Sequence, residues 1–219
     1  MKTYAQNKED FFLLELFNKK SKKNCFFMEF GAWDGIHLSN CRFLYENNWS
    51  GCFIELDKEK YNILQRNYLN DPNIILVNDK VDPETKNINK IIKDNNIKEI
   101  NVLSIDVDGR DLSIWKSLEV LKPDTVVIEF NDTIPFDVSY EDDTNKSIGN
   151  SYLAIDKFAK SMNYELIKVT RDNLIYATKE FNNGLCKPIN SEEVYSYCKP
   201  LRVGFNIFGE YLFFSGDKL

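Results

Sequence analysis

The length, composition and charge of the chain exclude several protein classes. Its 219 residues, 43% hydrophobic and 14% aromatic, suffice for one hydrophobic core and are too few for two full domains. A net charge of −6 argues against binding to nucleic acid phosphates. No apolar run approaches the ~20 residues that span a bilayer, and charges interrupt the N-terminal segment. We therefore expect a cytoplasmic protein without a nucleic acid or membrane partner.

The cysteines show no metal-binding pattern. They contain no CxxC pair and are odd in number: Cys25, Cys41, Cys52, Cys186 and Cys198. Cys25 and Cys52 fall in apolar runs, where a free thiol behaves as a small core residue. The pattern indicates a reducing compartment and argues against a zinc site.

Residues 1–180 alternate between short apolar runs and segments of helical composition. The apolar runs are rich in strand-forming residues and too short for helices: 25–32, 51–57, 73–79, 102–108 and 125–131. The intervening segments predict helices at 37–47, 58–69, 86–95 and 111–118. Such alternation is typical of βαβ units with a parallel sheet, which predicts an α/β fold.

The chain after the fifth predicted strand is less regular. A polar segment at 132–150 is too long for a simple connector. Ser151 is suited to cap a helix that ends near Asn163, and the runs 164–170 and 174–180 predict an antiparallel hairpin. Residues 181–219 show no clear period, and we expect them to form an extension packed on the domain at 1–180.

The strongest local signal is the glycine turn after the first predicted strand, Glu29-Phe30-Gly31-Ala32-Trp33-Asp34-Gly35. In open α/β sheets, ligands bind beyond the carboxyl ends of the strands, where glycine lets the backbone approach the ligand closely. The turn lacks the third glycine of a dinucleotide fingerprint and is not a phosphate-binding loop. Its acidic residues would repel a pyrophosphate but attract the amino group of an amino-acid-like ligand.

An acidic residue, Glu55, stands at the end of the second predicted strand, 24 residues after Gly31 (55 minus 31). At this place a carboxylate can accept hydrogen bonds from both ribose hydroxyls of an adenosine group. Each feature alone also occurs as a tight turn or a solvated strand end. Together, and in this order, they predict a site for a nucleoside-containing cofactor.

These motifs resemble those of the FkbM-type class I S-adenosylmethionine-dependent methyltransferases. Residues 4–10 resemble the family's opening Q-x-x-E-D element, and the similarity continues through 28–40, 49–57, 104–111, 127–131, 149–151 and 162–166. The resemblance implies a Rossmann-like sheet of seven strands, the last of them antiparallel, with helices on both faces. It covers residues 4–180 and leaves the tail from 181 unmatched.

The resemblance also implies a binding site for S-adenosylmethionine. The methionine part is expected against the glycine turn and the residues after it: Glu29, Phe30, Gly31, Ala32, Asp34, Gly35, Ser39 and Asn40. The ribose is expected at Glu55 and Leu56, and the adenine at Asn78 and Asp79. Asp106 flanks the sulfonium, and Gln6 reaches in from the N-terminal segment. The chain departs from the commoner family pattern at Asn78-Asp79-Lys80.

Oxygen-bearing side chains at the ends of the fourth and fifth predicted strands are the catalytic candidates. Asp106 and Asp108 are two residues apart on one strand and so point to one face, as do Glu129 and Asn131 on the next. Asp108 or Glu129 can act as general base, or the four can hold a divalent cation such as Mg²⁺. The plainer interpretation is that Asp108 and Asp111 only end a strand and cap a helix.

His37, the only histidine, is a further candidate base, although a hydrogen-bonded residue at a helix start is the plainer interpretation. The resemblance implies an O-methyltransferase acting on a small polar acceptor: a sugar or sugar nucleotide in capsule, other surface-polysaccharide or natural-product biosynthesis. Three alternatives are methylation of a phosphate-type or amine acceptor, a non-catalytic cofactor-binding module, and a nicotinamide dehydrogenase, which the missing third glycine disfavours. The sequence indicates no oligomeric state.

Overall fold

The structure, a computed structural model, describes residues 2–142, 147–199, 201–205, 208 and 211–215. The main strands are β1 (Phe26–Phe30), β2 (Ser50–Ile54), β3 (Ile74–Val77), β4 (Val102–Ile105), β5 (Thr125–Glu129), β6 (Tyr164–Val169) and β7 (Asn173–Thr178). The helices are α1 (Glu9–Lys19), α2 (Arg42–Glu46), α3 (Lys58–Asn67), α4 (Asn87–Asp94), α5 (Asp111–Ser117), α6 (Tyr152–Ser161), α7 (Lys179–Asn182) and α8 (Ser191–Tyr195).

The seven strands form one sheet in the order β3-β2-β1-β4-β5-β7-β6. The strands β1 to β5 pair in parallel, whereas β7 runs antiparallel to both β5 and β6. This arrangement confirms the predicted α/β sheet with its antiparallel hairpin. The strand order reverses between β1 and β4, where open α/β sheets leave a crevice for a ligand.

Both faces of the sheet are covered, which explains why the parallel strands read as nearly continuous apolar runs. Successive side chains of β1 alternate between the faces, so Met28 and Phe30 join one core and Phe27 the other. The first core contains Ile88 and Ile92 of α4, and the second contains Leu13 and Phe17 of α1 with Leu44 and Leu64.

Most predicted elements are longer than the observed ones, as two examples show. The helix predicted at 37–47 begins only at Arg42, because the Ser39 hydroxyl accepts the N–H groups of Cys41 (3.2 Å) and Arg42 (2.9 Å). Leu38 has a φ of 55°, which a right-handed helix excludes. The strand predicted at 102–108 ends at Ile105.

The residues beyond 180 contact the main domain where the structure describes their side chains. The N–H of Ile189 donates to the Leu166 carbonyl at 2.8 Å, and that of Lys199 donates to the Asp132 carbonyl at 2.6 Å. Val194 and Cys198 are buried in the first core. An antiparallel pair, β8 (Leu201–Phe205) and β9 (Tyr211–Ser215), follows. The division into a domain and an extension stays a prediction. Among the described residues, no helix has the length and apolar character needed to cross a membrane.

Candidate functional site

A cavity of about 620 Å³ lies at the carboxyl ends of the central strands. This volume is in the range of small-molecule sites. Many residues predicted from the sequence line it: Gln6, Glu29, Phe30, Gly31, Ala32, His37, Ser39, Asn40, Glu55, Leu56, Asp79, Asp106, Asp108 and Glu129. The topology therefore brings together side chains that are up to 123 residues apart in the chain (129 minus 6).

Two residues of the glycine turn, Asp34 and Gly35, do not line the cavity. The Asp34 carboxylate accepts the backbone N–H groups of Ile36 (2.8 Å) and His37 (2.7 Å), so it fixes the turn. Gly35 faces Tyr68, whose hydroxyl donates to the Gly35 carbonyl at 2.5 Å. Asp34 and Gly35 were expected to contact a ligand, but in the structure they stabilise the turn instead.

Glu29 anchors one end of the cavity although only 4% of it is exposed. Its carboxylate accepts the Ser39 hydroxyl (2.7 Å) and the Asn40 N–H (2.8 Å). The Asn40 amide donates to Ser104 of β4 at 3.1 Å. Burial raises the pKa of the Glu29 carboxyl to about 7, against the lowering effect of these hydrogen bonds. This polar network joins β1, β4 and the 39–40 turn beneath the cavity.

Glu55 connects the glycine turn to the end of β2. Its Oε2 accepts the Trp33 N–H at 2.8 Å and its Oε1 accepts the Asp57 N–H at 2.7 Å. A carboxylate has about four lone-pair sites, so each of the two oxygens can accept one further hydrogen bond. These two hydrogen bonds fix the position of the carboxylate at the end of β2.

Asn78 does not line the cavity, contrary to the expectation of an adenine contact. Its amide donates to the carbonyl oxygens of Glu55 (2.7 Å) and Leu56 (3.1 Å) and so holds the β2 end in place. The neighbouring Asp79 does line the cavity. Sequence position identified the correct strand end but not which of the two side chains faces inward.

Three carboxylates converge on one side of the cavity. One oxygen each of Asp106, Asp108 and Glu129 lies within 4.8 Å of the other two. The side chains of Asp106 and Asp108 are exposed to the cavity, and that of Glu129 is half-buried. Desolvation, followed by the charges of neighbouring carboxylates, raises the pKa of Asp106 to about 7 and that of Glu129 to about 8. Asp106 and Glu129 can thus bind or release protons near neutral pH.

The reason for this convergence differs from the predicted one. Asp106 and Asp108 lie beyond β4 in a turn, and Asp108 has a φ of 57°, so strand alternation does not orient them. Asp111 shapes the turn, because its carboxylate accepts the N–H groups of Val107 (2.9 Å) and Gly109 (3.0 Å). The plainer interpretation of Asp111 as a structural carboxylate agrees with this geometry.

Asn131 is not part of the carboxylate group, which corrects its place among the possible metal ligands. Its Nδ2 donates to the Ile148 carbonyl at 2.6 Å, and its Oδ1 accepts the N–H and hydroxyl of Thr133. The amide is thereby used to fold the segment after β5. Within the same segment, the buried Asn150 donates to the Gly109 carbonyl at 2.7 Å and joins it to the turn after β4.

The N-terminal segment covers another side of the cavity. The amide nitrogen of Gln6 donates to Asp172 at 2.9 Å, and Ala5 forms a β-bridge with Leu38. Glu9 and Asp10 are both fully buried. Glu9 accepts the Thr170 hydroxyl at 2.6 Å and Asp10 the Tyr4 N–H at 2.7 Å, so the motif resembling Q-x-x-E-D fastens this segment.

Several lining residues were not predicted from the sequence. They are Leu38, Ile54, Asp57, Lys60, Lys80, Val81, Pro83, Val107, Gly109, Arg110, Ile114 and Ser147. Most of these residues lie next to predicted positions, so the ends of the strands are the sequence feature that could have identified them. Ile114 and Ser147 lie farther from any predicted position, so the sequence offered no signal for them. His37 is exposed at the rim, with its ring 5.3 Å from that of Trp33.

Comparison with known proteins relates this architecture to one enzyme class. The family model described as "Methyltransferase FkbM domain" matches residues 73–166, from β3 into β6. No curated protein matches the chain. Among solved structures, a proposed caffeoyl-CoA O-methyltransferase from Staphylococcus aureus superposes with a TM-score of 0.50 at 13% identity, covering 77% of this chain and 83% of that one.

Two further solved structures have the same TM-score of 0.50. They are the CMeT domain of citrinin polyketide synthase, at 13% identity over 77% of this chain and 50% of that one, and a proposed sarcosine dimethylglycine methyltransferase from Galdieria sulphuraria, at 12% identity over 74% and 63%. At these identities the similarity shows the fold alone, a Rossmann-like class I methyltransferase fold.

Proposed function

We propose that this chain, which belongs to the FkbM-type S-adenosylmethionine-dependent methyltransferases, transfers the methyl group to a hydroxyl of a small polar acceptor. The observation that carries the proposal is the convergence of Asp106, Asp108 and Glu129 within 4.8 Å beside the cavity. The hydroxyl oxygen attacks the methyl carbon, the carbon–sulfur bond breaks, and S-adenosylhomocysteine leaves. The hydroxyl proton passes to a carboxylate, for which Asp108 is the candidate.

The cofactor is proposed to lie across the ends of β2, β1 and β4. Its methionine part is placed at Glu29, Gly31 and Asn40, its ribose at Glu55, and its adenine beyond Asp79. Val81, Pro83, Val107 and Ile114 also line the cavity, and we assign to them the apolar contacts with the adenine ring. Asp106, which adjoins Gly31, then lies nearest the sulfonium.

The charge of the lining favours a hydroxyl over a phosphate-type acceptor. The basic lining residues, Lys60, Lys80 and Arg110, come from α3, the end of β3 and the start of α5. Arg110 is two residues from Asp108, but its guanidinium forms an ion pair with Glu84. A phosphate beside Asp106, Asp108 and Glu129 would therefore meet mainly like charge. The same charge favours an amine as the second candidate acceptor. We propose a sugar hydroxyl, in surface-polysaccharide or natural-product biosynthesis, as the first.

A divalent cation is the alternative occupant of the carboxylate group. Three oxygens within 4.8 Å suit a hard cation such as Mg²⁺, and an ion there would orient an acceptor oxygen. His37 is a weaker candidate base, because it lies at the exposed rim beside Trp33.

A reaction in the cytoplasm is part of the proposal. All five cysteines, each within the described residues, are unpaired, as is usual in a reducing compartment.

The test is incubation with methyl-labelled S-adenosylmethionine and fractionated sugar nucleotides or capsule precursors, followed by mass spectrometry of the products. A label on a sugar oxygen is expected. A label on nitrogen or phosphate would replace the proposal with the corresponding alternative. Tight cofactor binding with no labelled product from any fraction would favour a non-catalytic module.

A further inference from the structure

Trp33 is the exposed tryptophan of the chain. It is 44% exposed, whereas Trp49 and Trp115 are 7% and 3% exposed and belong to the two cores. Trp33 lies in the glycine turn and is one of the residues that line the cavity. Leu56, 61% exposed, lines the same rim. Large apolar side chains grouped around the mouth of a cavity are typical of surfaces that a ligand covers.

The backbone of Trp33 is in an uncommon conformation. Its φ of 50° is in the left-handed region, which bulky residues rarely adopt. The conformation is imposed from outside the turn, since the Trp33 N–H donates to Oε2 of Glu55 at 2.8 Å. Strain of this kind persists where the surroundings determine it and is frequent at binding sites. Trp33 and the proposed ribose carboxylate are therefore parts of one rigid unit.

The Trp33 indole contacts two neighbouring side chains. The ammonium group of Lys60 lies 4.3 Å from the ring centroid, a cation–π contact. The imidazole ring of His37 meets it edge-on at 5.3 Å. Lys60 belongs to the first turn of α3, beside the β2 end that carries Glu55. Through Lys60 and Glu55, Trp33 is thus linked to the end of β2, to which the ribose is assigned.

We propose that Trp33 is a cofactor-binding residue whose indole forms the outer wall over the adenosyl part of S-adenosylmethionine and becomes buried when the cofactor binds. The proposal rests on the cofactor placement given above, and it assigns the indole to the cofactor and not to the acceptor. A wall of this kind shields the ribose and its hydrogen bonds to Glu55 from water.

The test is acrylamide quenching of tryptophan fluorescence with and without saturating S-adenosylhomocysteine, whose binding is measured separately by calorimetry. We expect the cofactor product to protect wild-type fluorescence from acrylamide. In Trp33→Phe the quenchable fraction and the protection are both expected to disappear, because the remaining tryptophans are buried. Phenylalanine keeps an aromatic wall, so its dissociation constant should stay within about threefold of wild type, and Trp33→Ala should raise it about tenfold.

Leu69→Ala is the matched control, because Leu69 is 66% exposed and lies outside the cavity lining; it should leave the affinity unchanged. Unchanged acrylamide quenching while calorimetry shows bound S-adenosylhomocysteine would overturn the assignment of Trp33 and leave the proposed function intact. Protection by the acceptor alone would overturn it as well. Failure of wild type to bind S-adenosylhomocysteine at all would instead overturn the proposed function.

Discussion

A Cβ atom on Gly31 would lie 1.8 Å from the carbonyl oxygen of Asp106. Gly31 also has a φ of 68°, so the glycine turn after β1 and the turn after β4 pack backbone against backbone. No side chain fits between them. This contact sets the distance between the proposed methionine site and the carboxylates that adjoin it.

We expect Gly31→Ala to weaken binding of S-adenosylhomocysteine at least tenfold, because Asp106 must move. Gly184→Ala is the matched control. Gly184 has a similar φ of 80°, but a Cβ there meets nothing within 4 Å. Its substitution should cost about 1–2 kcal/mol of unfolding free energy from backbone strain alone and leave affinity unchanged. Calorimetry and thermal unfolding of both variants separate steric displacement from strain, and equal affinities would contradict the role of this contact.

Glu55→Gln tests the proposed ribose contact. An amide supplies one oxygen in place of two, so it cannot accept the N–H groups of Trp33 and Asp57 and two hydroxyls together. Loss of a charge-assisted hydrogen bond worth about 1.5–3 kcal/mol should raise the dissociation constant of S-adenosylhomocysteine by about 10- to 150-fold. Glu59→Gln on exposed α3 surface is the control. Calorimetry should also detect no binding of NAD to wild type; micromolar NAD binding would reject the cofactor assignment.

The sequence was sufficient to predict the strands and the edge at which the site forms, because buried parallel strands leave apolar runs and ligands bind at their carboxyl ends. It was not sufficient for the turns. Trp33 and Asp108 both have left-handed backbone conformations that depend on carboxylates elsewhere in the chain. Glu55 accepts the N–H of Trp33. Asp111 accepts the N–H groups of Val107 and Gly109, the residues on either side of Asp108. Local sequence preferences do not reveal such contacts. The sequence therefore predicted Asp108 on a strand with Asn131 beside it.

Asp111→Asn tests how the turn after β4 is held. Asparagine places an N–H₂ group against one of the backbone N–H groups of Val107 and Gly109, which leaves a buried donor without an acceptor. We expect a loss of about 1–3 kcal/mol in unfolding free energy. Asp57→Asn is the control, since one oxygen of Asp57 accepts both N–H groups at the start of α3. That substitution should change stability by less than about 0.5 kcal/mol. Denaturant unfolding compares them, and equal losses would show that Asp111 has no special role.

The raised pKa values of Glu29 and Asp106, about 7, and of Glu129, about 8, predict two pH effects. These carboxyls are protonated at higher pH in the folded chain than in the unfolded one, where pKa values of about 3.9 for Asp and about 4.3 for Glu apply. Protonated carboxyls therefore stabilise the unliganded protein at low pH. Its free energy of unfolding should decrease as pH rises from about 5 to 8 and these groups lose their protons. The cationic sulfonium favours the charged carboxylates, so affinity for S-adenosylmethionine should rise between pH 6 and 8.

S-adenosylhomocysteine lacks the sulfonium charge and should show a smaller rise over the same range. Titration calorimetry of both ligands at each pH measures the difference, and thermal unfolding of the free protein measures the first effect. Parallel pH profiles for the two ligands would mean that the sulfonium does not lie near these groups.

Asp108→Asn distinguishes a general base from a metal site. If Asp108 takes the acceptor proton, turnover should fall by about 100- to 10,000-fold, while affinity for S-adenosylhomocysteine stays unchanged because Asp106, and not Asp108, adjoins Gly31. Wild-type turnover should then be insensitive to EDTA. Asp137→Asn, an exposed carboxylate outside the cavity lining, is the control and should keep full activity.

A metal-assisted reaction gives the opposite response to chelation. Wild-type turnover would vanish with EDTA and return with Mg²⁺ or Mn²⁺, and Glu129→Gln would raise the metal concentration required, because Glu129 is the carboxylate contributed by the neighbouring strand. Asn131→Ala should not change that requirement, since its amide is bonded to Ile148 and Thr133. Near-normal turnover of Asp108→Asn, with or without metal, would remove Asp108 from the chemistry. His37→Gln would then test the next base in reach of the cavity.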